Sequence, residues 1–465
     1  MDRRTLGFFA EACGGELRGA AGGRPVARIC TDSRLVREGD LFVALNGERF
    51  DGHGYVSDAI AKGAAAAVIA RTESDRFPGL PVLIVSETRR ALSRMADRYR
   101  GEFRLPLVAV AGSNGKTTTK EILGSLLGSC FETLRSPESF NNDIGVPMTL
   151  LELENRHVAA VIEVGTNHPG ELAPLLRLAL PKIGVLTNIG EEHLEFFGSL
   201  AGVVEEEGWV ADLLPPDGLL VLPGDAPWSQ TIVERTRARV VRTGQGPACD
   251  WRFGELRPDA DGTTFEVRCP VTELNGDYRI PLLGRHQVSN AVLALAVAAE
   301  FGLGRDELRR GLAACVPAKW RMNRWDFDGV QVLEDCYNAN PDSMMAALET
   351  LRDYPCAGRR VAVVGGMAEL GTHTLAAHER VGRRAVQLGI DRLVGVGNAA
   401  SVSVDAAVDA GMTQALAVDA VETAASALNE YLRPGDCLLI KGSRSARLER
   451  LGVLLRGRTY LQHAA

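Results

Sequence analysis

Seven consecutive residues, Gly112-Ser113-Asn114-Gly115-Lys116-Thr117-Thr118, carry the clearest chemical signature in the chain. Glycines let backbone N–H groups approach an anion, and a helix that starts directly afterwards adds positive potential. The order suits a nucleoside triphosphate: Lys116 can bridge the β- and γ-phosphates, and the Thr117 hydroxyl can reach a Mg²⁺ ion. The full phosphate-loop pattern asks for glycine at position 110, which here is Val110. A bare Gly-Lys-Thr turn also occurs as plain structure, so the weight of the reading lies in its place after an apolar strand. Two more residues join it. Glu163 closes the apolar run Ala159-Ala160-Val161-Ile162, where a carboxylate is expensive unless it binds something. In such a fold that position faces the nucleotide and Mg²⁺; a capping role is the alternative. His193 follows the turn Asn188-Ile189-Gly190 at the mouth of the next strand, as a metal ligand or as a structural histidine.

These residues need parallel strands behind them. Leu105–Ala111 has the length and apolarity of a buried parallel strand, and a helical pattern runs from Thr117 to Leu127. Further strand-like runs lie at Val158–Val164, Ile183–Thr187 and Gly218–Leu222. Before them, residues 1–104 hold short strands (Asp40–Leu45, Ala66–Ile69, Val82–Val85) between helices. After them, a polar helix–helix connection around Ala313–Trp320 reads as a boundary. The strands Val330–Leu333, Arg360–Val364, Arg392–Val396 and Cys437–Ile440 then alternate with alanine-rich helices. The pattern predicts an α/β protein of three domains, at residues 1–104, 105–316 and 317–465, with parallel sheets and ligands at the strand ends.

Composition narrows the function classes. A chain of 465 residues exceeds one ordinary core. The net charge of −7 provides no basic footprint for nucleic acid. The apolar patch Leu6–Ala10 is too short for a secretory core, and no stretch reaches the length of a membrane span. Nine scattered cysteines without a Cys-x-x-Cys pair fit a reducing cytoplasm rather than disulfides or zinc.

The chain resembles the Mur ligases along essentially its whole length. In the first segment the resemblance rests on Thr31-Asp32-Ser33-Arg34, Gly39–Gly47 and Phe50-Asp51-Gly52-His53. In the second it rests on Gly112–Thr118, Asn141-Asn142-Asp143-Ile144-Gly145-Val146-Pro147, Glu163-Val164-Gly165, His193-Leu194-Glu195 and Gly284–Ala291. In the third it rests on Asp335–Met344, Met367-Ala368-Glu369-Leu370-Gly371 and Lys441-Gly442-Ser443-Arg444. The runs Tyr337-Asn338-Ala339-Asn340-Pro341 and Met367–Gly371 point to the branch that joins D-alanyl-D-alanine to UDP-N-acetylmuramoyl-tripeptide. The Asp-Asn-Pro-Arg signature of the diaminopimelate-adding branch is absent. A first segment of this kind also argues against a folylpolyglutamate synthase.

The resemblance implies an ATP- and Mg²⁺-dependent ligase that works through an acyl phosphate, at the last cytoplasmic step of peptidoglycan precursor assembly. It implies a UDP-gripping first domain, a central phosphate-loop ATPase with a mostly parallel sheet, and a Rossmann-like C-terminal domain that brings the amine. By that likeness Ser33 and Arg34 hold the uridine diphosphate, and Gly112, Ser113, Asn114, Gly115, Lys116, Thr117 and Thr118 hold the ATP phosphates. Thr117, Glu163 and His193 bind metal, and Lys116, Glu163 and His193 are the catalytic set. Asn290 meets the adenine, and Arg321 and Asp335 reach the nucleotide from the third domain. Asn141, Asn142, Tyr337, Asn338 and Asn340 belong to substrate binding, although Asn340 and Asp342 also suit a plain turn. A monomer, with no nucleic-acid partner and no membrane span, is the expectation. The other readings are an amino-acid-adding Mur ligase and a nucleotide-binding protein of this fold without turnover.

Five positions depart from the family pattern. The lysine that Mur ligases carbamylate to gain a carboxylate is replaced by Glu207, within Glu205-Glu206-Glu207. Glu207 supplies a permanent carboxylate on a shorter arm, or the run is a solvated helix face. Glu138-Ser139 replaces a common Gly-Asn pair, Trp320 a glycine and Gly366 an aspartate.

Overall fold

The computed structural model describes residues 1–47 and 50–462 and places three large sheets in succession along the chain, with the small antiparallel pair Arg4–Thr5 and Pro25–Val26 before them. The first has five strands in the spatial order Glu16–Arg18, Val82–Val85, Ala66–Ala70, Asp40–Val43 and Arg28–Cys30. All its pairings are parallel except that of Glu16–Arg18. The three apolar runs expected there are strands, buried on both faces as a helix-covered parallel sheet requires.

The helix Thr88–Arg100 ties this sheet to the central one. Tyr99 is wholly buried; its hydroxyl donates to the Leu153 carbonyl at 2.6 Å and accepts the Asp2 N–H at 2.8 Å. Arg100 donates to the carbonyls of Ala179 and Leu180 at 3.0 and 3.3 Å. Burial lowers the pKa of its guanidinium, and these carbonyls satisfy its donors.

The central sheet has nine strands. Leu107–Ala111 lies between Ala159–Glu163 on one side and Ile183–Leu186 on the other, and Thr133–Arg135 forms the edge beyond Ala159–Glu163. The connection therefore reverses direction at Leu107–Ala111, which opens a crevice at the carboxyl ends of these strands. Beyond Ile183–Leu186 come Leu219–Pro223, Arg239–Gly244 and Trp251–Asp259, all parallel. Gly262–Arg268 and Gly276–Ile280 then complete the sheet antiparallel. This extension was not legible as sheet. Its strands bury Phe265, Val267, Tyr278 and Ile280 on one face and leave charged residues on the other. The ladder also shifts register between Gly254 and Arg257, around Glu255 at φ 47°. Behind the crevice the helices Lys116–Gly128 and Arg285–Glu300 pack together. The second is apolar nearly all round, from Val288 to Ala298.

The third sheet has the order Asn323–Phe327, Val330–Asp335, Cys437–Lys441, Arg360–Gly365, Arg392–Val396 and Ala415–Val418, parallel apart from the first strand. The connection after Ala313 corrects one expectation. It leads from a helix into the strand Asn323–Phe327, not into a second helix. That strand returns through Asp328-Gly329, both at positive φ (50° and 77°), the Asp-Gly chemistry of a tight hairpin. Among the described residues, no helix is long and apolar enough to cross a membrane.

Tyr99→Phe keeps the ring packing and removes the hydroxyl that serves two backbone groups. Urea denaturation should show a loss of about 1–3 kcal/mol. An unchanged midpoint would mean that this junction does not depend on the tyrosine.

Candidate active site

The strand Leu107–Ala111 delivers the chain to Gly112 at φ 115°, where a Cβ would stand 2.5 Å from Thr187 Oγ1 and 2.6 Å from the Asn188 carbonyl. At Gly115, φ 84°, a Cβ would stand 2.6 Å from Asn290 Oδ1. Both glycines are thus required by backbone conformation and by close approach. The loop is braced from the next strand. Thr187 Oγ1 lies 3.0 Å from the Ala111 carbonyl and 2.5 Å from that of Asn114. Asn188 accepts the Ser113 N–H at 2.9 Å through its carbonyl and the Asn114 N–H at 2.6 Å through its side chain. The helix Lys116–Gly128 follows, and its own turn first uses the Thr119 N–H, which donates to the Gly115 carbonyl at 2.8 Å. The N–H groups of Lys116, Thr117 and Thr118 are therefore left for an anion. Lys116 Nζ lies over the loop, donating to the carbonyls of Gly112 and Ser113.

Glu163 is buried at the end of its strand. Its Oε1 accepts from Thr117 Oγ1 at 3.2 Å and from Asn141 Nδ2 at 2.9 Å. Thr117 Oγ1 is also 3.1 Å from Ser139 Oγ and accepts from Arg321 Nη2 at 3.0 Å. Glu163 Oε2 has no hydrogen bond; the nearest cation is Lys120 Nζ at 3.7 Å. A buried carboxylate oxygen without a partner, beside a threonine hydroxyl, fits a hard divalent cation. Among the described residues no group of three or more His, Cys, Asp or Glu could hold a metal by itself. The donor set therefore suits Mg²⁺, which takes one or two protein oxygens and completes its shell with water and phosphate.

The three consecutive glutamates have three different surroundings. Glu205 is 76% exposed and pairs with Arg235 at 3.2 Å. Glu206 accepts the N–H groups of Gly170 and Leu172 at 2.9 and 2.8 Å, capping the helix Leu172–Ala179. Glu207 ends its own helix, Leu200–Glu207, fully buried, with neither oxygen hydrogen-bonded. Burial pushes its carboxyl up to about 8; the Lys116 ammonium opposes that shift and Glu192 adds to it. A solvated face describes Glu205 alone, and Glu207 points to the underside of the phosphate loop.

The C-terminal segment closes over this centre. His193 sits at φ 49°, its Nδ1 against Glu369 and its Nε2 3.8 Å from Glu192. Glu192 is buried and its Oε1 lacks a partner. Asn340 Nδ2 donates to Asn114 Oδ1 at 2.9 Å, and its Oδ1 accepts the Ser343 N–H, capping the helix Pro341–Asp353. Asn340 is thus both a turn former and a contact to the phosphate loop. Asp342 Oδ2 accepts the Glu191 N–H at 3.2 Å. The Arg321 guanidinium stacks on Tyr337 at 4.3 Å, and Asp335 pairs with Lys441 at 3.0 Å.

A cleft of about 490 Å³ gathers Ser113 to Thr118, Asn141, Asn142, Glu163, His193, Asn290, Arg321, Asp335, Tyr337 and Asn338. Gly112 lies at its base, and Asn340 lines an adjoining cavity. Ser33 and Arg34 stand apart on the first sheet's rim; Arg34 is 86% exposed and pairs with Asp32 at 2.7 Å. That pairing holds the Asp32 carboxyl down at about 2. Lys120 and Glu192 belong to the site and were not singled out from sequence; Ser139 and Lys441 were named there without a site role. Lys120 had a signal: it follows Lys116 by four residues, one turn along the same helix face.

Three Mur ligase family profiles match the chain in order: the family's catalytic domain at residues 25–100, its middle domain at 110–298 and its glutamate ligase domain at 320–444. The UDP-N-acetylmuramoyl-tripeptide–D-alanyl-D-alanine ligase of Escherichia coli is 37% identical over 96% of both chains. The crystal structure of MurF from Acinetobacter baumannii superposes with a TM-score of 0.89 at 31% identity, covering 98% of this chain and 99% of that one. MurF from Thermotoga maritima, solved in complex with ADP, superposes at 0.83 with 28% identity, covering 94% of this chain and 99% of that one. The chain belongs to the Mur ligase family. Its full-length relatives put it in the MurF branch.

A carboxyl whose pKa rises on folding from 4.5 to about 8 binds a proton in the folded chain that the unfolded chain has released. Glu207 therefore carries its full cost above that window and none below it. In EDTA and without nucleotide, the wild type should lose stability relative to Glu207→Gln as pH rises from about 5 to about 8. Urea titrations at fixed pH check this, and parallel pH profiles for the two proteins would contradict the buried placement.

Proposed function

We propose that this protein joins D-alanyl-D-alanine to UDP-N-acetylmuramoyl-tripeptide at the expense of ATP, in the cytoplasm and as a monomer. The observation that carries the reading is one cleft shared by the phosphate loop, Glu163 and the C-terminal run Tyr337-Asn338. The phosphate-loop side is chemically a kinase-like site, and the C-terminal side is where a second substrate enters. The division of labour follows the three segments: residues 1–104 hold the UDP end through Ser33 and Arg34, residues 105–316 hold ATP, and residues 317–465 bring the amine.

A carboxylate does not condense with an amine in water, because oxide is too poor a leaving group. The free N–H groups of Lys116, Thr117 and Thr118 hold the phosphates, and Lys116 swings from the loop carbonyls to meet the γ-phosphoryl charge. Thr117 and Glu163 would hold Mg²⁺, and His193 lines the same cleft. When bound, such an ion would supply charge neutralisation at the transferring phosphoryl group. The substrate carboxylate takes the γ-phosphoryl group and becomes an acyl phosphate, releasing ADP. The free amine of D-alanyl-D-alanine attacks the acyl carbon, loses a proton, and phosphate departs. Asn290 lies beside Gly115 toward the adenine, and Arg321 spans from Tyr337 to Thr117, so closure of the third segment completes the site and excludes water. Glu207 stands where the family carbamylates a lysine and offers a carboxyl that needs no CO₂; burial keeps it protonated in the nucleotide-free site, and cations gathered at the phosphate loop favour its carboxylate form.

Phosphate release should require ATP, Mg²⁺, the UDP-tripeptide and D-alanyl-D-alanine together, and should run undiminished in CO₂-free buffer. Lys116→Ala should lower turnover by at least about a hundredfold with an unchanged circular dichroism spectrum, in line with loss of a charge aimed at the transition state. Near-normal turnover in that variant would remove the phosphate-loop assignment.

A further inference from the structure

Three cavities meet at one point of the molecule. The first is the catalytic cleft with the phosphate loop. The second, about 630 Å³, lies between Arg89, Ser93, Arg94 and Asp97 of the helix Thr88–Arg100 and the central segment. The third, about 330 Å³, lies between Glu192 and His193 of the central segment and Asn338 and Glu369 of the C-terminal one. The reaction proposed above has three reactants, and each segment brings one: the UDP-linked peptide, ATP and the amine. The reacting atoms must therefore come together where the three cavities join. Asn167 is the one described residue that lines all three.

The turn that carries Asn167 is pinned from behind. Glu171 accepts the N–H groups of Asn167 and His168 at 2.8 and 3.1 Å. Glu206 accepts those of Gly170 and Leu172 at 2.9 and 2.8 Å. The buried Thr166 closes the turn by donating to the His168 carbonyl at 2.8 Å. The Asn167 side chain itself is exposed and, among the described residues, makes no hydrogen bond. Its neighbours in the cleft are engaged: Asn141 donates to Glu163 at 2.9 Å, and His193 pairs with Glu369. A fixed backbone with a free amide is the arrangement of a preorganised hydrogen-bond donor. The amide also keeps both N–H donors at any pH and carries no charge of its own.

We propose that Asn167 is a catalytic residue whose side-chain amide donates to the carbonyl oxygen of the reacting acyl group as that oxygen becomes an oxyanion. This deepens the function proposed above and rests on it. A carboxylate oxygen of the peptide attacks the γ-phosphorus, and the bond to ADP breaks with its electron pair leaving on ADP. The amine nitrogen then attacks the acyl carbon. A C–N bond forms, and the C=O π pair moves onto the oxygen that faces Asn167. When that pair returns, the C–O bond to phosphate breaks, and the departing phosphate takes both the bonding pair and the amine proton. Negative charge on the acyl oxygen is greatest between those two events, and there a donor contributes most.

The test measures kcat and each KM in Asn167→Ala, Asn167→Asp and Asn167→Gln, with the melting temperature as the control for folding. Since the side chain holds nothing in the fold, all three should melt with the wild type. Asn167→Ala should lower kcat by about a hundred- to a thousandfold, the cost of removing one oxyanion donor. KM for ATP, the UDP-tripeptide and D-alanyl-D-alanine should each change by less than about threefold, as for an interaction made only in the transition state. Asn167→Asp keeps the shape but sets a negative charge against the oxyanion, so it should be slower than Asn167→Ala. Asn167→Gln, with an amide on a longer arm, should be faster than Asn167→Ala. A structural role would reverse the first order, because aspartate is the closer replacement, and a metal-ligand role would leave Asn167→Asp near the wild type. Either result would overturn the proposal, as would a kcat for Asn167→Ala within about threefold of wild type. If wild type itself released no phosphate with all its substrates, the function would be refuted, a result distinct from an active enzyme indifferent to Asn167.

Discussion

Glu163 and Glu207 approach the phosphate loop from two directions, both buried, and each leaves carboxylate oxygen without a hydrogen bond. Burying a carboxylate is unfavourable unless cations arrive to balance it, which is why Glu207 holds a proton in the nucleotide-free site. The protein supplies Lys116 and Lys120 from successive turns of one helix and Arg321 from the C-terminal segment, and the balance still leaves Glu163 Oε2 free. The parallel sheet creates this problem by ending Ala159–Glu163 and Leu107–Ala111 side by side at the crevice. It also creates the solution, since the same edge starts the helix whose amides and lysine attract phosphate.

The third segment is coupled to that balance. Arg321 reaches Thr117, Asn340 reaches Asn114, His193 meets Glu369, and Arg380 meets Glu191. Each contact joins a polar group of the central crevice to one on the C-terminal side. A nucleotide that altered the charge at Thr117 or Lys116 would thereby act on the placement of the C-terminal wall of the cleft. Besides Glu207, two of the positions that depart from the family pattern fall at this crevice, and another lies apart from it. The Glu138 carbonyl accepts from Lys120, Ser139 lies against Thr117, and Trp320 lies between Lys319 and Arg444.

Much of this was legible in the chain because buried parallel strands are written as short apolar runs, and the runs around Val110, Ile162 and Val185 became strands at the crevice. The loop from Gly112 to Thr118 was legible because two of its positions admit only glycine. The antiparallel strands from 251 to 280 were hidden by their half-exposed, charged alternation and by the irregular register at Glu255. Glu205, Glu206 and Glu207 could not be told apart in sequence, because only the packing of their helix decides which one faces Arg235, which caps a neighbour and which is sealed beneath Lys116. Glu192 was missed and Lys441 was read only as part of a motif for a similar reason: each acquires its meaning from a residue more than a hundred positions away or from the shape of the cleft.

The central claim is that the buried carboxylates and the phosphate loop form a single site for a nucleotide together with its divalent cation. Scanning calorimetry of the full chain with a non-hydrolysable ATP analogue tests it directly. With analogue and Mg²⁺ both at about a hundred times their dissociation constants, stabilisation of about 2.7 kcal/mol is expected. The analogue or the ion alone should give only a small fraction of that. An equal rise in melting temperature with the analogue in EDTA would contradict the account, because Glu163 would then have no cation to bind.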